Sequence, residues 1–341
     1  MAESQLLAHL AKLGATEAQI AGLDDGDLIG LAGDLQLSAG LSLTLDEVAR
    51  EAGCEPDAVR TIYEGLGLRV EDMAGFGDGD VALVSLIAGD TSGIIDTVGP
   101  QILRVAGSAL SRLAEAAVAA YVQDVEHHGN DGRDLIAEAD QNAFASTLVL
   151  VLGDMLPTVF RHHMWASVRR QRLAQDGVAV PEVVRLAVGF VDLVGFTSFS
   201  RFASPAELIA TIEDFERRAF ETAHHFGGRI VKSIGDEVMI AAADARTVAA
   251  IALELIDTTG DDPSVAPRGG VSAGDVLFRL GDYYGPVVNL ASRLTAEAVP
   301  GEVLTDQSSG VGPDMALQPA GRRTLKGFTE PVAVWTVESA R

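Results

Sequence analysis

The stretch Phe190-Val191-Asp192-Leu193-Val194-Gly195-Phe196-Thr197 decides how the carboxy-terminal half of this chain is read. It closes an apolar run that begins at Val184, stops on a carboxylate and turns at a glycine towards a helix. Short apolar runs rich in β-branched side chains and bounded by turn residues predict buried strands. Downstream, Ser204-Pro205-Ala206-Glu207 has a capping serine, proline at the first helical position and glutamate two residues further on. That pattern starts a helix, which is expected to reach about Phe226 and stop at Gly227-Gly228. Ile230 to Ser233 and Val238 to Ala242 flank Gly235 as a hairpin, and Gly270 to Ala273 reads as a further strand. Strand, helix, hairpin, helix and strand in this order predict an α+β or α/β domain.

The amino-terminal half reads differently. Up to about Trp165 it is rich in Ala and Leu, broken by acidic glycine segments such as Asp24-Asp25-Gly26-Asp27 and Phe76-Gly77-Asp78-Gly79-Asp80. Leu103, Ala106, Leu110, Leu113, Ala117 and Tyr121 recur at three- and four-residue steps, the signature of an amphipathic helix. Gly129-Asn130-Asp131-Gly132 reads as a turn, and a helix is expected from Arg133 to about Leu152. This half is therefore expected to be all-α. The basic stretch with Arg169, Arg170 and Arg172, followed by Asp176-Gly177 and Pro181, reads as a helix that breaks into a linker. The resulting division is a helical regulatory domain at 1–165, a linker or switch helix at 166–182 and a catalytic domain at 183–341.

Composition limits the function classes. The 341 residues suit two domains of ordinary size, and 48% apolar content supplies cores and a subunit interface. The net charge of −24 argues against nucleic acid or anionic lipid surfaces as general partners, because both recruit by Lys/Arg neutralisation. A nucleotide needs only a local positive pocket and cations. The one cysteine, Cys54, excludes an intrachain disulfide and a multi-cysteine zinc cluster, and a cytoplasmic location is expected. The amino terminus lacks a basic segment followed by a long apolar one, so no secretory signal is expected. The run from Thr147 to Phe160 is interrupted by Asp154 and Pro157, so no membrane span is expected either. Thr44 and Glu47 form a capping-box pattern that opens a helix-turn-helix-like segment. Six acids against three bases between Thr44 and Val70 oppose a DNA-reading role for it.

Three motifs carry chemistry. In the first, Asp192 at a strand end can hold a divalent cation, while the turn through Phe196 and Thr197 can offer backbone N–H groups to phosphates. In the second, Lys232-Ser233-Ile234-Gly235-Asp236-Glu237, a hairpin tip presents another carboxylate. Each aspartate alone is equally an ordinary turn residue; together they suit a two-cation site. The third runs from Leu280-Gly281-Asp282-Tyr283-Tyr284-Gly285-Pro286 into Val287-Val288-Asn289-Leu290-Ala291-Ser292-Arg293-Leu294. Asn289 and Arg293 are four apart and share one helix face, where an amide suits sugar oxygens and a guanidinium suits phosphoryl oxygens.

In this order and spacing the motifs resemble the catalytic domain of class III nucleotidyl cyclases, over roughly Glu182 to Glu338 and including Leu325-Lys326-Gly327-Phe328-Thr329-Glu330-Pro331-Val332. The amino-terminal half is similar to the helical regulatory domain of some actinobacterial members. The resemblance implies a ferredoxin-like βαββαβ core. It implies that Asp192 and Asp236, with Leu193 beside them, bind two divalent cations, Mg²⁺ or Mn²⁺. Lys232 and Asp282 would read the adenine of ATP, with Phe196 and Thr197 as further substrate contacts. Asn289 would orient the ribose, Arg293 would stabilise charge at the α-phosphate, and Lys326 would touch a phosphate.

The resemblance further implies conversion of ATP to 3′,5′-cyclic AMP and pyrophosphate in a homodimer whose two sites are shared between subunits. Autoinhibition by the helical half is expected. His127/His128 and His162/His163 offer it pH sensing, and its apolar content admits a lipid ligand. Three readings compete: a guanylyl cyclase, opposed by Lys232 with Asp282; an inactive nucleotide-binding regulator, opposed by the complete residue set; and a DNA-binding regulator, opposed by local acidity.

Overall fold

The computed structural model describes residues 2–90, 94–126, 134–174, 182–258, 265–312 and 315–338. The chain divides into two compact units, Met1–His163 and Met164–Arg341.

The first unit is helical among the described residues: α1 (Ala2–Lys12), α2 (Glu17–Ile20), α3 (Asp25–Leu37), α4 (Leu45–Ala52), α5 (Pro56–Gly65), α6 (Asp78–Ala88), α7 (Ile94–Glu126) and the start of α8 (Leu135–Ala174). The Thr44–Glu47 capping box forms as read: the Glu47 amide donates to Thr44 Oγ1 at 3.3 Å, and the Thr44 amide donates to Glu47 Oε2 at 2.8 Å. Val48, Val59, Ile62, Tyr63, Phe76 and Val84 bury one core; Leu6, Leu10, Leu28 and Leu31 bury another.

Two expectations change here. The stripe on α7 forms a helix, but Leu110 and Leu113 stay about half exposed. The helix expected to end near Leu152 continues to Ala174, straight through Asp154 and Pro157. A proline removes one backbone bond from a long ladder, and Arg172 in the last turn favours the helix terminus. Uninterrupted, α8 is long and apolar enough to cross a membrane by length and composition, with mean hydropathy 1.7 over an unburied window. The expected absence of a span rested on breaks that the helix does not make. His127, His128 and the Gly129–Gly132 turn lie outside the described residues.

The second unit is built on one sheet. Its elements are β1 (Val183–Val194), α9 (Phe196–Phe199), α10 (Pro205–Phe226), β2 (Arg229–Ile234), β3 (Glu237–Ala242), α11 (Ala245–Thr258), β4 (Ala266–Arg279), β5 (Asp282–Tyr284), α12 (Pro286–Glu297), β6 (Val303–Asp306), β7 (Ala316–Arg323) and β8 (Val332–Glu338). The strand order is β2-β3-β1-β4-β6-β8-β7, with β5 paired to β4. The first four strands with α10 and α11 make the expected βαββαβ core, antiparallel throughout its pairs. Helix α10 begins and ends where its signals say, with Ser204 capping Glu207 and Gly227 in the left-handed region at φ 78°.

Strand alternation then sorts β1 into two faces. Ala187, Val191 and Leu193 join the core under α10 and α11. Val184, Leu186, Val188 and Phe190 join a second core with Tyr283 and Ala291, on the side of α12. Asp192 is the next position of that second series, so its carboxylate stands on the α12 side.

Candidate active site

Asp192 pairs directly with Glu237 across β1 and β3. The amide of Leu193 donates to the carbonyl of Asp236 at 3.1 Å, which fixes the hairpin tip against the end of β1. Three carboxylates therefore converge. Burial raises the Asp236 carboxyl, and the neighbouring charge of Asp192 raises it further. Glu237 is pushed up to about 7, first by burial and then by Asp192 and Asp236. Carboxylates that hold one another up in this way are short of positive charge, and oxygen donors of this kind suit a divalent cation. Asp192 and Asp236 therefore fit such an ion. Among the described residues, though, no three His, Cys, Asp or Glu side chains are already arranged as a metal cage. Leu193 buries its side chain in the core, so only its backbone carbonyl could reach a cation.

The positive charge at this end comes from Arg268 on β4, which reading the sequence did not single out. Its Nε and Nη2 donate to Asp192 Oδ2 at 3.0 and 2.9 Å. Its Nη1 donates to the carbonyls of Ala296 and Ala298 at 2.9 and 3.2 Å. Glu237 was likewise legible only as a member of its motif; its position opposite Asp192 emerges from strand register.

Lys232 on β2 and Asp282 on β5 lie fifty residues apart in sequence and meet as an ion pair, the Nζ donating to Asp282 Oδ2. Asp282 Oδ1 accepts from the amide of Tyr283 at 2.8 Å, which orients the carboxylate. Arg229, on the same strand as Lys232, donates to the Tyr283 hydroxyl and lies over its ring, 5.1 Å from the centroid. The base-reading candidates are thus brought together and braced.

Asn289 and Arg293 occupy one face of α12, Asn289 exposed and Arg293 half-buried. The opposite face, with Ala291, Leu294 and Thr295, is buried. There the helix backbone sits close on Gly270 of β4. The Thr295 hydroxyl lies 3.2 Å from the carbonyl of Phe190, two residues before Asp192, and donates to it. Phe196 and Thr197 form the short α9 behind Gly195, whose φ of 87° permits the turn. Phe196 packs against the core, whereas Thr197 is exposed. Lys326 is exposed on a turn beyond β7, and among the described residues no contact joins it to the other candidates.

Comparison with known proteins places the chain in a family. The Adenylate and Guanylate cyclase catalytic domain family matches residues 178–338. An uncharacterised protein of Mycobacterium tuberculosis is 35% identical over 343 residues, covering 96% of this chain and 88% of its own. The adenylate cyclase of Streptomyces coelicolor is 33% identical over 276 residues, covering 80% of this chain and 72% of its own. The chain belongs to the class III nucleotidyl cyclases. A pH-sensitive adenylate cyclase of M. tuberculosis is 30% identical over 264 residues, 69% of this chain and 62% of that protein. As a nucleotidyl cyclase, the chain carries its catalytic domain at residues 178–338, which follow a helical amino-terminal region in sequence.

Proposed function

We propose that this cyclase acts on ATP, forming 3′,5′-cyclic AMP and pyrophosphate. The observation that carries the reading is the Lys232–Asp282 pair. An ammonium donates to a ring nitrogen of adenine, and a carboxylate accepts from its exocyclic amine. Guanine presents the opposite donor and acceptor pattern and would set like against like.

Asp192 and Asp236 would hold two divalent cations, Mg²⁺ or Mn²⁺, with the Leu193 carbonyl beside them. Such ions lower the pKa of the ribose 3′-hydroxyl and neutralise the triphosphate. The protein's own side chains do the rest. Asn289 orients the ribose so that its 3′-oxygen lies in line with the α-phosphorus. That oxygen forms the new P–O bond as the bond to pyrophosphate breaks. Arg293 spreads positive charge over the phosphoryl oxygens as their charge grows. Phe196 and Thr197 present the turn beside the phosphates, and Lys326 supplies a further phosphate contact. The hydroxyl proton passes to solvent water, with no side chain assigned as a dedicated base.

The working form is a homodimer with shared sites. Within one chain, Arg268 fixes Asp192 near the last turn of α12, while Asn289 stands seven residues, roughly 10 Å, further up that helix. A twofold partner brings its own Asn289 and Arg293 to the carboxylates instead. Asp192→Ala and Arg293→Ala variants, each inactive alone, are then expected to recover activity when mixed. Random pairing puts half the chains in heterodimers with one intact site each, so about a quarter of wild-type activity returns. Absence of recovery where subunit exchange is demonstrated contradicts shared sites.

Regulation is assigned to the helical region and to residues 166–182, a segment that aligns or separates the catalytic units in the cytoplasm. Two observations support this. Burial and the charge of Arg229 pull Arg170, near the end of α8, below the ordinary arginine value, with Tyr283 opposing them. The end of the helix therefore lies within electrostatic reach of Arg229 and Tyr283, which brace the base-reading candidates. His162 and His163 are exposed on the same helix, and one relative is pH-sensitive. Protonation in the helical region is the proposed inhibitory input, with a lipid on its apolar surface as the alternative ligand.

A further inference from the structure

Arg268 is held from two sides by four hydrogen bonds. Two of its N–H groups end on one oxygen of Asp192, at 2.9 and 3.0 Å. A third nitrogen is held by Ala296 and Ala298, at the carbonyl end of α12. That end of a helix carries partial negative charge, so the guanidinium is anchored independently of the carboxylate. Both partners are withdrawn from solvent, the Asp192 side chain being 19% exposed and that of Arg268 24%. A planar guanidinium in this setting is a strong and geometrically specific counter-ion.

A divalent cation seeking Asp192 meets that guanidinium on the same oxygen. Two cations cannot share it without strong repulsion. Arg268 must withdraw, and nothing in the free cation gives it a partner elsewhere. A triphosphate does, because its several negative charges compete with Asp192 for the guanidinium. We propose that Arg268 is the resting counter-ion of Asp192 and bars a free divalent cation from that carboxylate until nucleotide is present. The inference rests on the reading of Asp192 as a metal ligand. It implies an order of assembly: the ion arrives with the nucleotide or after it. It also joins the carboxylate to α12 through one side chain, so that loading the site releases the carbonyl end of the helix bearing Asn289 and Arg293.

The test is Mn²⁺ binding to the full-length protein, followed by the EPR signal of the free ion, with and without 3′-deoxy-ATP. Wild type is expected to bind Mn²⁺ weakly alone and much more tightly with the analogue. Arg268→Met is expected to tighten nucleotide-free binding about tenfold or more, the scale of a hydrogen-bonded charge pair. Arg268→Lys keeps the charge but cannot span Asp192 and two carbonyls at once, and it is expected to tighten binding several-fold. Arg185→Met, which removes an exposed charge on β1, is expected to change nothing. Equal affinities for wild type, Arg268→Met and Arg268→Lys in folded protein overturn the proposal. So does a gain in Arg185→Met matching that in Arg268→Met, because net charge would then explain it. If Asp192→Ala binds Mn²⁺ as wild type does with the analogue present, the metal-ligand reading itself fails, and the inference with it.

Discussion

Replacing Gly270 with alanine tests whether α12 is held to atomic tolerance. A Cβ built there lies 2.3 Å from the amide nitrogen of Thr295, 2.5 Å from the carbonyl oxygen of Ala291 and 2.7 Å from the Thr295 hydroxyl. Two of these atoms belong to the helix backbone, so no rotamer change relieves the clash. Restoring an ordinary separation of about 3.5 Å requires α12 to retreat by about 1 Å. Overpacking of this kind costs about 1–3 kcal/mol of stability. A misplacement of about 1 Å costs roughly 100-fold in rate where reacting groups must be aligned. Gly269, one residue earlier on the opposite face, supplies the control. Its nearest neighbours would be Phe190 O at 3.3 Å, Ala252 Cβ at 3.4 Å and Val303 Cγ2 at 3.5 Å. Both variants are compared by cyclic AMP formation at saturating ATP and Mn²⁺ and by thermal unfolding. Gly270→Ala is expected to lose most of kcat while remaining folded, and Gly269→Ala to stay near wild type. If the two variants behave alike, the close seat of α12 on β4 does not position Asn289 and Arg293.

Lys232→Met removes the ammonium and leaves Asp282 uncompensated; kcat/KM for ATP is expected to fall by about 10–100-fold, the scale of a hydrogen bond to a charged group of about 1.5–3 kcal/mol. Unchanged ATP kinetics in that variant would remove the basis for choosing adenine. Replacing His162 and His163, both exposed on α8, together by asparagine is expected to flatten the pH–activity profile of the full-length enzyme. A profile identical to wild type assigns the input to other groups.

Local signals made much of the second unit legible. The βαββαβ order follows from apolar runs, a capping box and paired glycines, and the limits of α10 agree to the residue because Ser204, Pro205 and Gly227 each act within one helical turn. The apolar pattern predicts a strand at Gly270–Ala273, whereas β4 spans Ala266–Arg279. Gly269, Gly270 and Gly274 dilute its apolar pattern; at Gly270 the backbone of α12 approaches too closely for a side chain, and at Gly274 the φ of 155° disfavours one. Helix α8 continues past the expected end near Leu152 because the ladder on either side of Pro157 is long enough to carry it to Ala174. Arg268 could not be found by spacing: 76 residues separate it from Asp192, and only strand pairing sets it opposite the carboxylate. Glu237 stood in plain view in its motif, but its elevated pKa comes from burial against Asp192, which no periodicity reports.

The bond between Leu193 and the Asp236 carbonyl, with Asp192 facing Glu237, makes the β-ladder a ruler for the acidic end of the molecule. Neighbouring strands keep a spacing of about 4.8 Å whatever side chains they carry. To widen or narrow the interval between the carboxylates, the chain would have to slip its register. One step of slip in β3 would turn Val238 and Ile240 out of the core together. Under the proposed function, base preference would be retuned by exchanging the two side chains Lys232 and Asp282, whereas the spacing of the acidic end can be altered only by unmaking the sheet.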